Sequence, residues 1–86
     1  MQVMGCQQYT TETKIFVLTG STDSNCNSIL FINTGTSAVT IDGVTLQQGQ
    51  QFRIDGNQDE ILVKTYYFTF ATGGTNSLTI VFKRYL

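Results

Sequence analysis

The chain contains no histidine, no tryptophan and no proline, and only two cysteines, among its 86 residues. Without imidazole, the Ser-His-acid and Cys-His relays cannot be assembled, nor can the ordinary zinc, copper and non-haem iron sites. Cys6 and Cys26 alone cannot complete a thiolate zinc cage. As a bridge they would close a loop of about 20 residues, worth roughly 3 kcal/mol on the chain-entropy estimate. Two cysteines do not define a disulfide framework, and a pair of free thiols is the simpler reading.

Charge is also scarce. The net value is −1, and Lys14, Arg53, Lys64, Lys83 and Arg84 are dispersed. No basic face is concentrated enough to drive phosphate binding, so no nucleic-acid partner is expected. A net charge near zero leaves little repulsion between copies, which permits dense packing. No apolar run approaches the roughly 18 residues that cross a membrane. The first residues carry neither a basic patch nor a long apolar stretch, so no signal peptide and no membrane partner are expected. Val3-Met4-Gly5-Cys6 has the outline of a lipoprotein cleavage box, without the hydrophobic segment that must precede one.

What remains is rich in threonine, with apolar residues in short packets divided by Gly, Asn, Asp and Ser, the pattern of an antiparallel sheet. Length and pattern together predict a single all-β domain over residues 11–86, a small antiparallel β-sandwich with a small β-barrel as the alternative. Met1–Thr10 reads as a disordered tail or as an N-terminal arm able to pair with a neighbour's sheet edge. A first strand is expected from about Thr11 to Thr19, and its run Ile15-Phe16-Val17-Leu18 points to both faces. That makes it either central in the sandwich or covered by another subunit. Residues 20–25 read as a polar surface loop. Ser28–Asn33 is a second two-faced strand. Asp42-Gly43 then predicts a type I′ hairpin, with Ile41 opposite Val44 and Val39 opposite Leu46. Asp55-Gly56 reads as a second tight turn, Glu60–Phe70 as the longest strand, and Gly73-Gly74 as a reversal before the last strand. The expected core is Leu30, Ile32, Val39, Ile41, Val44, Leu46, Phe52, Ile54, Phe68, Phe70, Ile80 and Phe82.

Chemistry-bearing constellations are sparse. Asp55, Asp59 and Glu60 form the only acidic cluster. Its spacing is not that of an EF-hand, and a solvated turn explains it. The run Gly73–Ser77 lacks the lysine and the helix of a phosphate loop. Neither a catalytic residue, a metal site nor a cofactor is therefore expected, and the chain is read as a non-enzyme. Tyr67 and Tyr85 are the aromatic residues placed outside the core, able to stack on a glycan or anchor a protein contact.

With Asn33-Thr34-Gly35, Val39-Thr40-Ile41-Asp42-Gly43, Leu46, Gly49 and Tyr67-Phe68-Thr69-Phe70 in view, the span Ile29–Phe70 resembles small β-rich structural proteins of tailed-bacteriophage particles. The resemblance implies a virion component without enzymatic activity, held in a ring or on a capsid surface, as a decoration or tail component, by neighbouring copies. It places the protein in the virion or in the cytoplasm of the producing cell. The expected function is structural packing as a homo-oligomer or with other structural proteins, through Ile15, Val17, Ile61, Val63, Tyr67 and Tyr85. A carbohydrate-binding module with a glycan partner, and a small accessory or inhibitor protein, are the alternatives.

Overall fold

The computed structural model describes residues 7–86. Eight strands follow in order: β1 Tyr9–Phe16, β2 Gly20–Asp23, β3 Ser28–Asn33, β4 Val39–Ile41, β5 Val44–Leu46, β6 Gln51–Ile54, β7 Thr65–Phe70 and β8 Leu78–Tyr85. The local seed of this order is the β4–β5 hairpin. Asp42 and Gly43 hold φ of 46° and 84°, the left-handed geometry a type I′ turn requires. Ile41 stands opposite Val44, Thr40 opposite Thr45 and Val39 opposite Leu46.

The strands form two four-stranded sheets, ordered β1-β8-β3-β6 and β2-β7-β4-β5, with every pairing antiparallel. The two sheets pack face to face as a small β-sandwich. Except at the β4–β5 hairpin, successive strands alternate between sheets, which is the strand order of an eight-stranded jelly roll.

That alternation corrects several expectations. β1 is an edge strand, not a central one, because Val17-Leu18-Thr19 carries the chain across to the second sheet and leaves one side of β1 unpaired. It also starts at Tyr9, so Tyr9 and Thr10 belong to the sheet; of the rest of the proposed arm, Gln7 and Gln8 precede the strand and residues 1–6 lie outside the described residues. The loop expected over residues 20–25 contains β2. Asp55-Gly56 and Gly73-Gly74 do not close hairpins: β6 and β7 lie in different sheets, as do β7 and β8. Gly56 is instead pressed against the Asn27 carbonyl, where a Cβ would collide, and a Cβ at Gly74 would fall 2.7 Å from Thr36 Oγ1.

The core holds Ile29, Phe31, Val39, Ile41, Leu46, Tyr66, Phe68, Phe70, Leu78, Ile80 and Phe82, with Cys26 at one end. Each fully buried large side chain contributes roughly 1.5–3 kcal/mol of transfer free energy. Leu30 and Ile32 do not belong to this core. They are half-buried on the outer face of the first sheet, and their neighbours Ile29 and Phe31 point inward in their place. Phe31 is the reason, since its ring stacks with Phe52 at 5.8 Å and meets Tyr66 edge-on at 5.0 Å. Val44 faces inward but stays 37% exposed, because β5 is an edge strand and Val44 adjoins its turn. Phe52 and Ile54 are half-buried on the other sheet's edge.

Three buried polar side chains fasten the connections. Asn33 Nδ2 donates to the carbonyls of Ser37 at 2.8 Å and Leu46 at 2.9 Å, while its Oδ1 accepts from Gly35 N at 3.0 Å. Asn27 Nδ2 donates to the carbonyls of Asn57 and Glu60, and its Oδ1 accepts from Tyr85 N. Ser24 Oγ lies 2.7 Å from the Leu62 carbonyl and accepts from Lys64 N at 2.9 Å. Each spares backbone groups the penalty of burial without a partner.

Candidate functional site

The segment leading into β7 is extended from Ile61 onward but joins the ladder only from Thr65. Leu62 forms an isolated bridge with Cys26, through bonds of 2.8 and 3.3 Å, and Ser24 N donates to the Lys64 carbonyl at 2.8 Å. The period-2 alternation of an extended chain then sends Leu62, Tyr66 and Phe68 toward the core and Ile61, Val63 and Tyr67 outward. These last three are 59%, 75% and 65% exposed and stand in one row along the second sheet.

Beside the row lies the Lys64–Asp42 ion pair at 2.9 Å. Its hydrogen bond to Asp42 pushes the Lys64 ammonium above the ordinary lysine range, so the cation persists well into alkaline conditions. The ammonium also sits 5.1 Å over the Tyr66 ring, whose hydroxyl is pushed up by burial.

The other expected contact residues fall elsewhere. Ile15 is exposed on the outer face of the first sheet, opposite Thr79, which in turn faces Ile32. Val17 is exposed in the β1–β2 connection next to Leu18, a residue the sequence reading passed over. Tyr85 is half-buried, set edge-on to Tyr9 at 6.0 Å, and the Lys83 ammonium lies 4.3 and 4.9 Å over these two rings. Tyr67 and Tyr85 thus stand on the outer faces of different sheets and form no common platform, while the Tyr9–Tyr85 pair already holds a cation on its faces.

The acidic cluster is engaged locally: Asp55 pairs with Arg53 at 3.4 Å, and Glu60 Oε1 accepts from Asn57 N at 2.9 Å. Among the described residues no group of three or more His, Cys, Asp and Glu side chains is placed to hold a metal ion. Cys26 is a free, fully buried thiol that burial pushes above the ordinary thiol range, partly offset by Arg84, so it stays protonated and weakly nucleophilic. The depressions are shallow; one of about 480 Å³ opens between β1 and β2 over Lys14, Phe16, Thr22 and Arg84. Among the described residues no helix is long and apolar enough to cross a membrane. In comparisons with known proteins the chain matches no family model, no curated protein and no solved structure.

Proposed function

We propose that the chain is a non-enzymatic structural module that packs against copies of itself, in the manner of the phage-particle proteins it resembles. The observation that carries this reading is the outward row Ile61, Val63 and Tyr67, exposed although the core beneath it is closed. Single exposed apolar residues are ordinary on a protein surface, whereas an aligned row on one extended segment supplies a strip for a partner. The eight-stranded order does not discriminate, since that architecture serves capsid and lectin domains alike.

Size exclusion with light scattering at micromolar concentration tests the proposal. A mass that is a multiple of 9.5 kDa, reduced by Val63→Asp without loss of fold, is the expected result. A clean monomer across the concentration range would remove self-assembly.

A further inference from the structure

We infer that the β6 edge of the first sheet pairs with the β6 edge of a second copy, antiparallel about a two-fold axis at Ile54, so that Arg53 of each chain stands opposite Asp55 of the other. This contact rests on the self-assembly reading above, and it lies on a different sheet from the row Ile61, Val63 and Tyr67.

Open backbone is the first requirement. β6 has a single neighbour in its sheet, β3. At the end of that ladder Asn33 N donates to the Gln50 carbonyl at 3.0 Å, and the register continues with Phe31 opposite Phe52 and Ile29 opposite Ile54. Antiparallel bonding alternates from pair to pair, so Phe52 and Ile54 turn their N–H and C=O groups toward β3, while Gln51 and Arg53 turn theirs to the open side. The alternation carries past the strand. Gly56 N donates to Ser28 Oγ at 3.1 Å, on the β3 side, which leaves the Asp55 backbone facing outward with that of Arg53. Among the described residues the backbone groups of Gln51, Arg53 and Asp55 make no hydrogen bond outside the β3 ladder. The core side of β6 carries no charge, unlike that of β1, where Glu12 and Lys14 stand opposite Phe82 and Ile80.

Charge selects the occupant and its register. Arg53 and Asp55 are neighbours on the outer face, 3.4 Å apart at Nε and Oδ1, and their side chains are 64% and 70% exposed. A guanidinium has several donors and a carboxylate two accepting oxygens, so each can serve a second partner. With the axis at Ile54, two such pairs close into a square of alternating charge, in which every charge adjoins two of opposite sign. Arg53 and the second copy's Asp55 also exchange both backbone bonds on each side of the axis. An axis at Arg53 would set two guanidinium groups directly opposite each other. An axis at Phe52 would set Asp55 opposite Gly49, whose amide already bonds the Asn33 carbonyl at 2.9 Å, and no ion pair would cross the contact. On the core side the chosen register sets Ile54 beside Ile54 and Phe52 opposite Gly56, which has no side chain to obstruct it. Phe52 and Ile54 are only partly buried in one chain, because no strand lies beyond β6. The second copy's Ile54 covers apolar surface that one chain leaves open.

The test follows mass by light scattering from micromolar to millimolar concentration in a Val63→Asp background, which removes the row contact, with the fold of every variant verified by two-dimensional NMR. Val63→Asp alone should form a dimer of twice 9.5 kDa. Adding Arg53→Asp or Asp55→Arg should each weaken that dimer at least about tenfold, since opposite-charge pairs become like-charge pairs. An equimolar mixture of these two variants should dimerise again, because unlike charges then face each other. Arg53→Pro removes an outward donor on an edge strand, where proline is tolerated, and should leave a monomer. Exchange at the Arg53 and Asp55 amides should slow about tenfold from dilute to concentrated Val63→Asp. A Val63→Asp chain that stays monomeric while the unaltered chain assembles refutes the β6 contact and leaves self-assembly standing. An unaltered chain that is monomeric at all concentrations refutes both. A dimer that tolerates Arg53→Pro, or a mixture of the two charge variants that stays monomeric, also refutes this pairing.

Discussion

Replacing Asn33 with alanine should be among the most damaging polar substitutions in this fold. Asn33 is 1% exposed and makes three backbone contacts, joining the end of β3 to the carbonyls of Ser37 and Leu46 and to the amide of Gly35. The Gly35 amide keeps a second acceptor, the Ser77 carbonyl at 3.1 Å. The Leu46 carbonyl likewise keeps the Val39 amide across the β4–β5 ladder, so the alanine variant leaves the Ser37 carbonyl as the buried group that loses its Asn33 donor. At about 1–3 kcal/mol for an unsatisfied buried group, the expected loss is about 1–3 kcal/mol, before any cavity term. A small domain is stable by only about 5–15 kcal/mol in all, so the midpoint of urea unfolding should fall sharply with the m-value unchanged. Asn33→Asp should be no better: its carboxylate keeps the bond from Gly35 but turns an oxygen on two carbonyls. A loss below about 1 kcal/mol for Asn33→Ala, or rescue by aspartate, would show that solvent or rearrangement replaces these bonds and that the hub is not what joins β3 to the hairpin.

Three further outcomes follow from backbone geometry and burial. Gly43→Val forces a β-branched residue to φ 84° and should cost about 1–3 kcal/mol in urea unfolding, whereas Gly20→Ala, whose added Cβ finds its nearest neighbours at 3.9 and 4.0 Å, should change stability by less than about 0.5 kcal/mol. Cys26 should resist alkylation until the chain unfolds. Its folded pKa is raised above about 9.0, as those of Tyr66 and Lys64 are raised above about 10.0 and 10.5, so the native state holds protons that the unfolded chain releases first. Stability from these groups should be level through neutral pH and decline as pH rises past about 9; thermal melts in alkaline buffers that show a rise instead would contradict this.

Local signals in the sequence were read more surely than distant ones. Asp42-Gly43 encodes its own geometry, since both residues tolerate positive φ and the flanking alternation leaves one register, and all three residue pairs of that hairpin stand as expected. Alternation in the long segment likewise put Tyr66, Phe68 and Phe70 on one side and Tyr67 on the other. Uninterrupted apolar runs carry no such information. In Ile29-Leu30-Phe31-Ile32 either pair satisfies period two, and the choice is made by Phe31 meeting Phe52 and Tyr66, contacts across 21 and 35 positions of chain. Ser24 misled for a related reason. It stands in a stretch with the composition of a surface loop, but it is buried because it bonds the Leu62 carbonyl 38 positions away. The crossings at Gly56 and Gly74 were read as turns because glycine signals both a reversal and a close approach, and only the packed neighbour distinguishes the two.

The row Ile61, Val63 and Tyr67 was legible in the sequence as apolar surplus, but the character of the sheet edges was not. β1 is the longer free edge, with eight residues and one unpaired side. Its inward positions, however, carry Glu12 opposite Phe82 and Lys14 opposite Ile80, with Glu12 held by Arg84 at 2.9 Å and Lys14 lying 5.4 Å over the Phe82 ring. Charges on the core side of an edge strand penalise an added strand, because its arrival would bury them further. Arg53 and Asp55, by contrast, lie on the exposed outer side at the end of the β6 edge. The two edges of the first sheet therefore differ: β1 carries charges on its core side, which oppose the addition of a strand, whereas the charges beside β6 stay on its outer side and do not.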